Sequence, residues 1–277
     1  MATSETGRIP NQDICEPNHI ILWLDVTIGN PDEYKHLKRA FATNVDPRVK
    51  LPTPLTSRDI QNLLGANQPQ TVFFEGVEIL LQVFDEQDKC FEAFKQHSDK
   101  RIYFITSGQL GQKIVPEIFK DNPDAFNDPI THEPCPSIYV FCHNIKLNMP
   151  WAMEFIEYIQ MFNFDSELLE RLVRDIATYF LSRARRMMTE PNLQVQTLQR
   201  LNWAKRLWHQ YDKMLQQIPP DSFRPVKEST KMKEINDLIQ QVEPTPVSLE
   251  TFHQQMLEKF DNKNDDDDDK VAEESGS

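Results

Sequence analysis

The sequence predicts an α/β fold: a five-stranded, doubly wound parallel sheet in the order 2-1-3-4-5, followed by a C-terminal helical extension. Three observations predict it. The first is residues 101–116, where a β-branched and aromatic run (Ile102, Tyr103, Phe104, Ile105, Thr106) meets a Ser107-Gly108 break. After the break, Leu110, Ile114, Val115 and Ile118 fall at helical spacing, which makes strand, tight turn and helix in about twenty residues. The second is that this run is apolar on both faces, as a central parallel strand covered by helices must be. The third is the alternation of such runs with helical patterns, five times over, which implies right-handed crossovers.

The elements follow in order. Residues 19–27 (Ile20, Ile21, Leu22, Trp23, Leu24, Asp25, Val26) read as a buried strand ending in a carboxylate. Pro31 then opens a helix over 32–43, acidic in its first turn and basic near its end, with Tyr34, Leu37 and Phe41 inward. Residues 44–70 hold Pro47, Pro52, Pro54 and Pro69 and read as an insertion over the sheet. Within it, 57–64 followed by Gly65 reads as a short capped helix. Gly76 splits 71–84 into an edge strand and a second core strand, 77–84. A helix over 85–97 places Cys90, Phe91 and Phe94 inward. Beyond the central unit come a proline-rich loop (121–136), a strand (137–142), a helix from Pro150 (149–160) and a short strand (161–164). Two long amphipathic helices follow from Ser166, stopped and restarted around Pro191. Weaker helical stretches at 229–242 and 248–260 complete the extension. The expected organisation is a disordered tail (1–18), an α/β domain (19–188, with the 44–70 insertion), a helical extension (189–260) and an acidic disordered tail (261–277).

Charge and composition exclude several classes. The chain has 277 residues, 39% of them hydrophobic, and a formal charge of −13. Residues 261–277 hold eight acids against Lys263 and Lys270, a net of −6, so nearly half the excess lies there. Such a balance opposes nucleic acid as the partner. No run reaches the roughly 18 apolar residues of a membrane span, and the N-terminus lacks the n- and h-regions of a secretory signal. The cysteines (Cys15, Cys90, Cys135, Cys142) are scattered and read as reduced thiols, so the expectation is a cytoplasmic protein.

Six features of the sequence are weighed for possible chemistry. Ser107, Gly108 and Gly111 form a glycine-containing turn at the carboxyl end of a central strand, where parallel sheets bind ligands and helix N-termini favour anions. The turn is neither G-x-G-x-x-G nor a Walker loop, and a plain strand-to-helix turn explains it as well. Asp25 faces the same crevice, but the second carboxylate a phosphoryl-accepting magnesium site needs is absent, so no metal or cofactor is expected. Glu117, placed a turn or so into the following helix, could stabilise an oxocarbenium ion. His132, Cys135, Cys142 and His143 match no familiar zinc spacing. Arg183, Arg185 and Arg186 gather near a helix end, where its carbonyls account for them. The stretch from Asp265 to Lys270 also has the form of an enteropeptidase-type cleavage sequence; an acidic linker explains it equally.

The segments "IILWLDVTIGNPDEYKHLKRAF", "FDEQDKCFEAFKQ", "RIYFITSGQLGQKIVPEIF" and "SIYVFCHN" resemble a receiver-like, flavodoxin-type domain. Such domains precede tetratricopeptide-repeat or arginine-specific ADP-ribosyltransferase regions in some invertebrate proteins. The resemblance covers about residues 19–165, and the transferase pattern itself is missing. More distantly the layout is similar to Toll/interleukin receptor-like domains, in which Glu117 would stand near a catalytic glutamate. The resemblance implies a fold and a placement in larger proteins. The expected function is a non-catalytic regulatory or interaction module. The apolar faces of the helical extension exceed what the sheet alone should cover, so a protein partner or a second copy is expected there. The alternative the resemblance implies is an NAD-cleaving or nucleotide-binding domain using Asp25, Ser107, Gly108, Gly111 and Glu117.

Overall fold

The computed structural model describes residues 18–45, 52–128, 131–219 and 224–242. Strand β1 (His19–Leu24) is buried at every position, because it lies in the middle of a sheet covered on both faces. It pairs in parallel with β5 (Val77–Phe84) on one side and β6 (Arg101–Ser107) on the other. The parallel ladder continues from β6 to β7 (Ile138–Phe141) and on to β8 (Ile159–Phe162).

The expected all-parallel sheet of only five strands is corrected here; the order 2-1-3-4-5 holds only for its parallel part, β5-β1-β6-β7-β8. The sheet is mixed and has eight strands, in the order β3-β2-β4-β5-β1-β6-β7-β8. The additional strands are β2 (Phe41–Val45), β3 (Pro52–Pro54) and β4 (Gln70–Phe74), all antiparallel to their neighbours. β4 and β5 form a hairpin whose two turn residues, Glu75 (φ 48°) and Gly76 (φ 78°), take the left-handed conformation that such turns require. β4 is therefore not an edge strand: β2 pairs with its other side.

That pairing explains why the helix expected over 32–43 is short. α1 spans only Lys35–Arg39, and the chain turns extended at Phe41. There the Ala40 carbonyl accepts from Glu75 N (2.8 Å), and the Phe41 ring packs 4.9 Å from Phe74 and 6.1 Å from Trp23. Pro52 and Pro54 thus bound β3 and Pro69 precedes β4 instead of belonging to a cover, and Pro47 lies outside the described residues. α2 (Ser57–Leu64) is present with a full capping box: Thr56 Oγ1 accepts from Asp59 N, and Asp59 Oδ2 from Thr56 N.

α3 (Gln87–Gln96), α4 (Gly108–Asp121) and α5 (Ile145–Ala152) cover one sheet face, meeting Ile20, Leu22, Phe104 and Val140. α5 starts four residues earlier than expected because Asn144 Oδ1 accepts from Leu147 N (3.3 Å), which leaves Pro150 inside the helix. The chain then tightens into a 3-10 turn at Met153–Phe155, leaving Met153 and Ile156 exposed. α6 (Asp165–Met187), α7 (Gln194–Leu215) and α8 (Thr230–Val242) share the other core, with Ile21, Trp23, Tyr103 and Tyr139. α7 also ties down the β4–β5 hairpin, since Arg206 donates to the Gly76 carbonyl and Gln210 to Glu75. The tails expected at 1–18 and 261–277, apart from Asn18, and the helical stretch at 248–260 lie outside the described residues. Among those described, no helix is long and apolar enough to cross a membrane.

Candidate functional site

Because β1, β6 and β7 are parallel and in register at Leu24, Thr106 and Val140, the loops leaving them emerge side by side. They enclose a groove of about 270 Å³, lined among others by Asp25, Tyr34, Ser107, Gly108, His143 and Asn148. Three of the residues singled out in the sequence, Asp25, Ser107 and Gly108, are brought together here.

Asp25 is 2% exposed, and its carboxylate is fully engaged by its own loop. Oδ1 accepts from Thr27 N and Thr27 Oγ1, both at 2.6 Å, and Oδ2 accepts from Tyr34 Oη at 2.5 Å. Tyr34 reaches it from a left-handed backbone (φ 54°) at the N-terminus of α1. Burial first, and the Asp25 charge second, raise the Tyr34 phenol far above its ordinary range, so it stays a donor. Lys38 behind it donates a hydrogen bond to the Asn30 carbonyl (2.5 Å), and burial lowers its pKa.

Ser107 is the N-cap of α4; its Oγ accepts from Leu110 N at 3.5 Å, a weak bond. Among the described residues no histidine hydrogen-bonds to that hydroxyl. Gly108 is small for a packing reason. A Cβ there would stand 2.6 Å from Asn148 Oδ1, because the Asn148 side chain lies directly on it. Asn148 is fixed in turn by Trp151 Nε1, which donates to its Oδ1 (3.3 Å), and by the Asn144 carbonyl, which accepts from its Nδ2 (3.0 Å). Gly111 lies below the groove, where a Cβ would meet Thr106 Cγ2 at 3.0 Å and the Trp151 ring at 3.1 Å.

Glu117 is elsewhere. Nine residues beyond Gly108, it is about 13 Å along α4 and not a turn into it. It is exposed and accepts from Gln87 Nε2 (3.1 Å) at the start of α3. His132 and Cys135 precede β7 while Cys142 and His143 follow it, so the quartet is split between the strand's two ends. Among the described residues no three His, Cys, Asp or Glu side chains gather as a metal site. Burial raises the Cys142 thiol, and Cys90, Cys135 and Cys142 are free. Arg185 and Arg186 pair with Glu234 and Asp128, not with helix carbonyls alone.

The sequence reading missed Tyr34 as the Asp25 partner and missed Asn148 entirely. A tyrosine nine residues after a strand-end aspartate is a signal that could have been noticed. Asn148 carries none, since its contact with Gly108 depends on how α5 docks against α4. Comparison with family models, with curated proteins and with solved structures found no match.

Proposed function

We propose that this protein is a non-catalytic, intracellular regulatory module with a degenerate receiver-like body, acting through a protein partner. The observation that carries the reading is the Asp25 carboxylate, whose oxygens are taken up by three donors from residues 27 and 34. A carboxylate so engaged has little lone-pair capacity left for a metal ion or a sugar hydroxyl. Asn148 lies against Gly108 at the groove, and Glu117, the carboxylate the sequence offered for sugar chemistry, stands outside it, while Glu33 lines it. Val26, Leu147 and Phe164 are 65%, 76% and 58% exposed around the same end of the sheet, which suits contact with another protein.

The test is incubation of the purified chain with NAD and assay of free nicotinamide, together with a melting screen against nucleotides. No nicotinamide above buffer, and no ligand-dependent rise in Tm, is the expected result. NAD turnover that disappears in Glu117→Ala would establish the enzyme reading in its place.

A further inference from the structure

At the opposite end of β1 from the groove, α6 and α7 close over a corner that carries unmatched positive charge. Arg200 of α7 is only 8% exposed. Its guanidinium stacks 4.6 Å from the Trp203 ring and 5.9 Å from Phe180, and its Nε has no hydrogen-bond partner. Among the described residues it forms no ion pair, and neither does half-buried Arg183 on α6. Four other arginines of α6, Arg171, Arg174, Arg185 and Arg186, each reach a carboxylate. Arg101 sits in the same corner over Tyr103 and Tyr179, and both its Nε and the Tyr103 hydroxyl lack partners. Burial, with Arg183 adding repulsion against the opposing influence of Tyr179, lowers the Arg200 pKa. A buried guanidinium held without a carboxylate partner among the described residues, in a chain with 43 acids against 30 cations, is a costly arrangement.

We propose that this corner is a carboxylate-binding site and that its occupant is the chain's own acidic run, aspartates 265–269. The chemistry matches, since a guanidinium whose desolvation is already met by folding binds a carboxylate with two parallel bonds. Reach is sufficient too. α8 ends at Val242, whose carbonyl accepts from Gln194 Nε2 at the start of α7. Arg200 is six residues further along that helix, about 9 Å. The 23 residues from Val242 to Asp265 reach at most about 75 Å fully extended, and about 50 Å with the helical stretch expected at 248–260. The run supplies five of the eight acids in 261–277, so its charge is concentrated enough to serve Arg200, Arg183 and Arg101 together.

The experiment is a double-mutant cycle on the full chain, read as Tm at low ionic strength. One variant replaces aspartates 265–269 by asparagine, one is Arg200→Gln, and the third combines them. Neutralising the run is expected to lower Tm by about 3 °C or more, an effect that vanishes in the Arg200→Gln background and shrinks at high salt. If Arg200→Gln fails to fold, Arg183→Gln completes the same cycle from a half-buried position. Additive effects would overturn the proposal. So would a Tm raised by inorganic phosphate in a chain indifferent to neutralisation of the run.

Discussion

Gly108 is held small by a side chain forty residues away. Because a methyl group at that position would overlap Asn148, and Asn148 is anchored at both ends of its amide, Gly108→Ala forces either α5 to shift or two hydrogen bonds to break. The expected loss is about 1–3 kcal/mol, measured by urea unfolding. Gly108→Ala combined with Asn148→Ala should recover part of that loss, and an additive result would show that the contact is not the cause. The Ser107-Gly108 break was legible in the sequence, since only a turn residue fits between a β-branched run and a helical pattern. What the glycine accommodates was not, because residue type says nothing about which distant side chain arrives there.

At the scale of elements, the long helices were the most readable part. The apolar positions Leu201, Ala204, Leu207 and Trp208 repeat at 3.6-residue spacing and are all buried in α7. Their destination was not readable. They pack against α6 and α8 within one core that also holds Ile21, Trp23 and Tyr103. These four side chains are therefore covered within the chain, while Val195 and Leu215 of the same helix stay exposed. Leu207→Ala is expected to destabilise by about 2–5 kcal/mol, and a melting curve suffices to check it. A variant with wild-type Tm would mean that α7 is peripheral. The shortened α1 shows the converse failure. Phe41 and Ala42 fit a helix until the β4 edge offers a ladder, and the ladder wins by burying Phe41 completely.

For the molecule as a whole, His19 joins β1 to both long helices and sets a pH response. Its ring lies 4.8 Å from Phe180 and 6.0 Å from Trp203, with no exposed surface. Burial, and next the nearby Arg200, lower its pKa from 6.5 to about 3. The folded chain thus refuses a proton that the unfolded chain accepts. Stability is full above pH 6.5 and falls as pH drops from there toward 3, by up to roughly 1.4 kcal/mol per pH unit. His97, lowered chiefly by burial, acts in the same direction. The urea midpoint should decline between pH 7 and 5, before most carboxylates titrate, and His19→Phe should flatten that decline. An unchanged slope in the variant would place the response elsewhere.

The sequence by itself determined the α/β class, the two-sided burial of the central strands, the inner faces of the long helices and the charge imbalance between body and terminus. Each of these is written in local periodicity or composition, because the pattern of apolar residues records which side of an element will leave water. Only the tertiary structure decided that residues 41–45, 52–54 and 70–74 extend the sheet with antiparallel strands, that Asp25 spends its carboxylate on Thr27 and Tyr34, and that Arg200 is buried with no ion pair among the described residues. Periodicity specifies that a face is buried and leaves open against what. Hydrogen-bond partners and counter-charges are settled by that second question, so they exist only once the chain has folded.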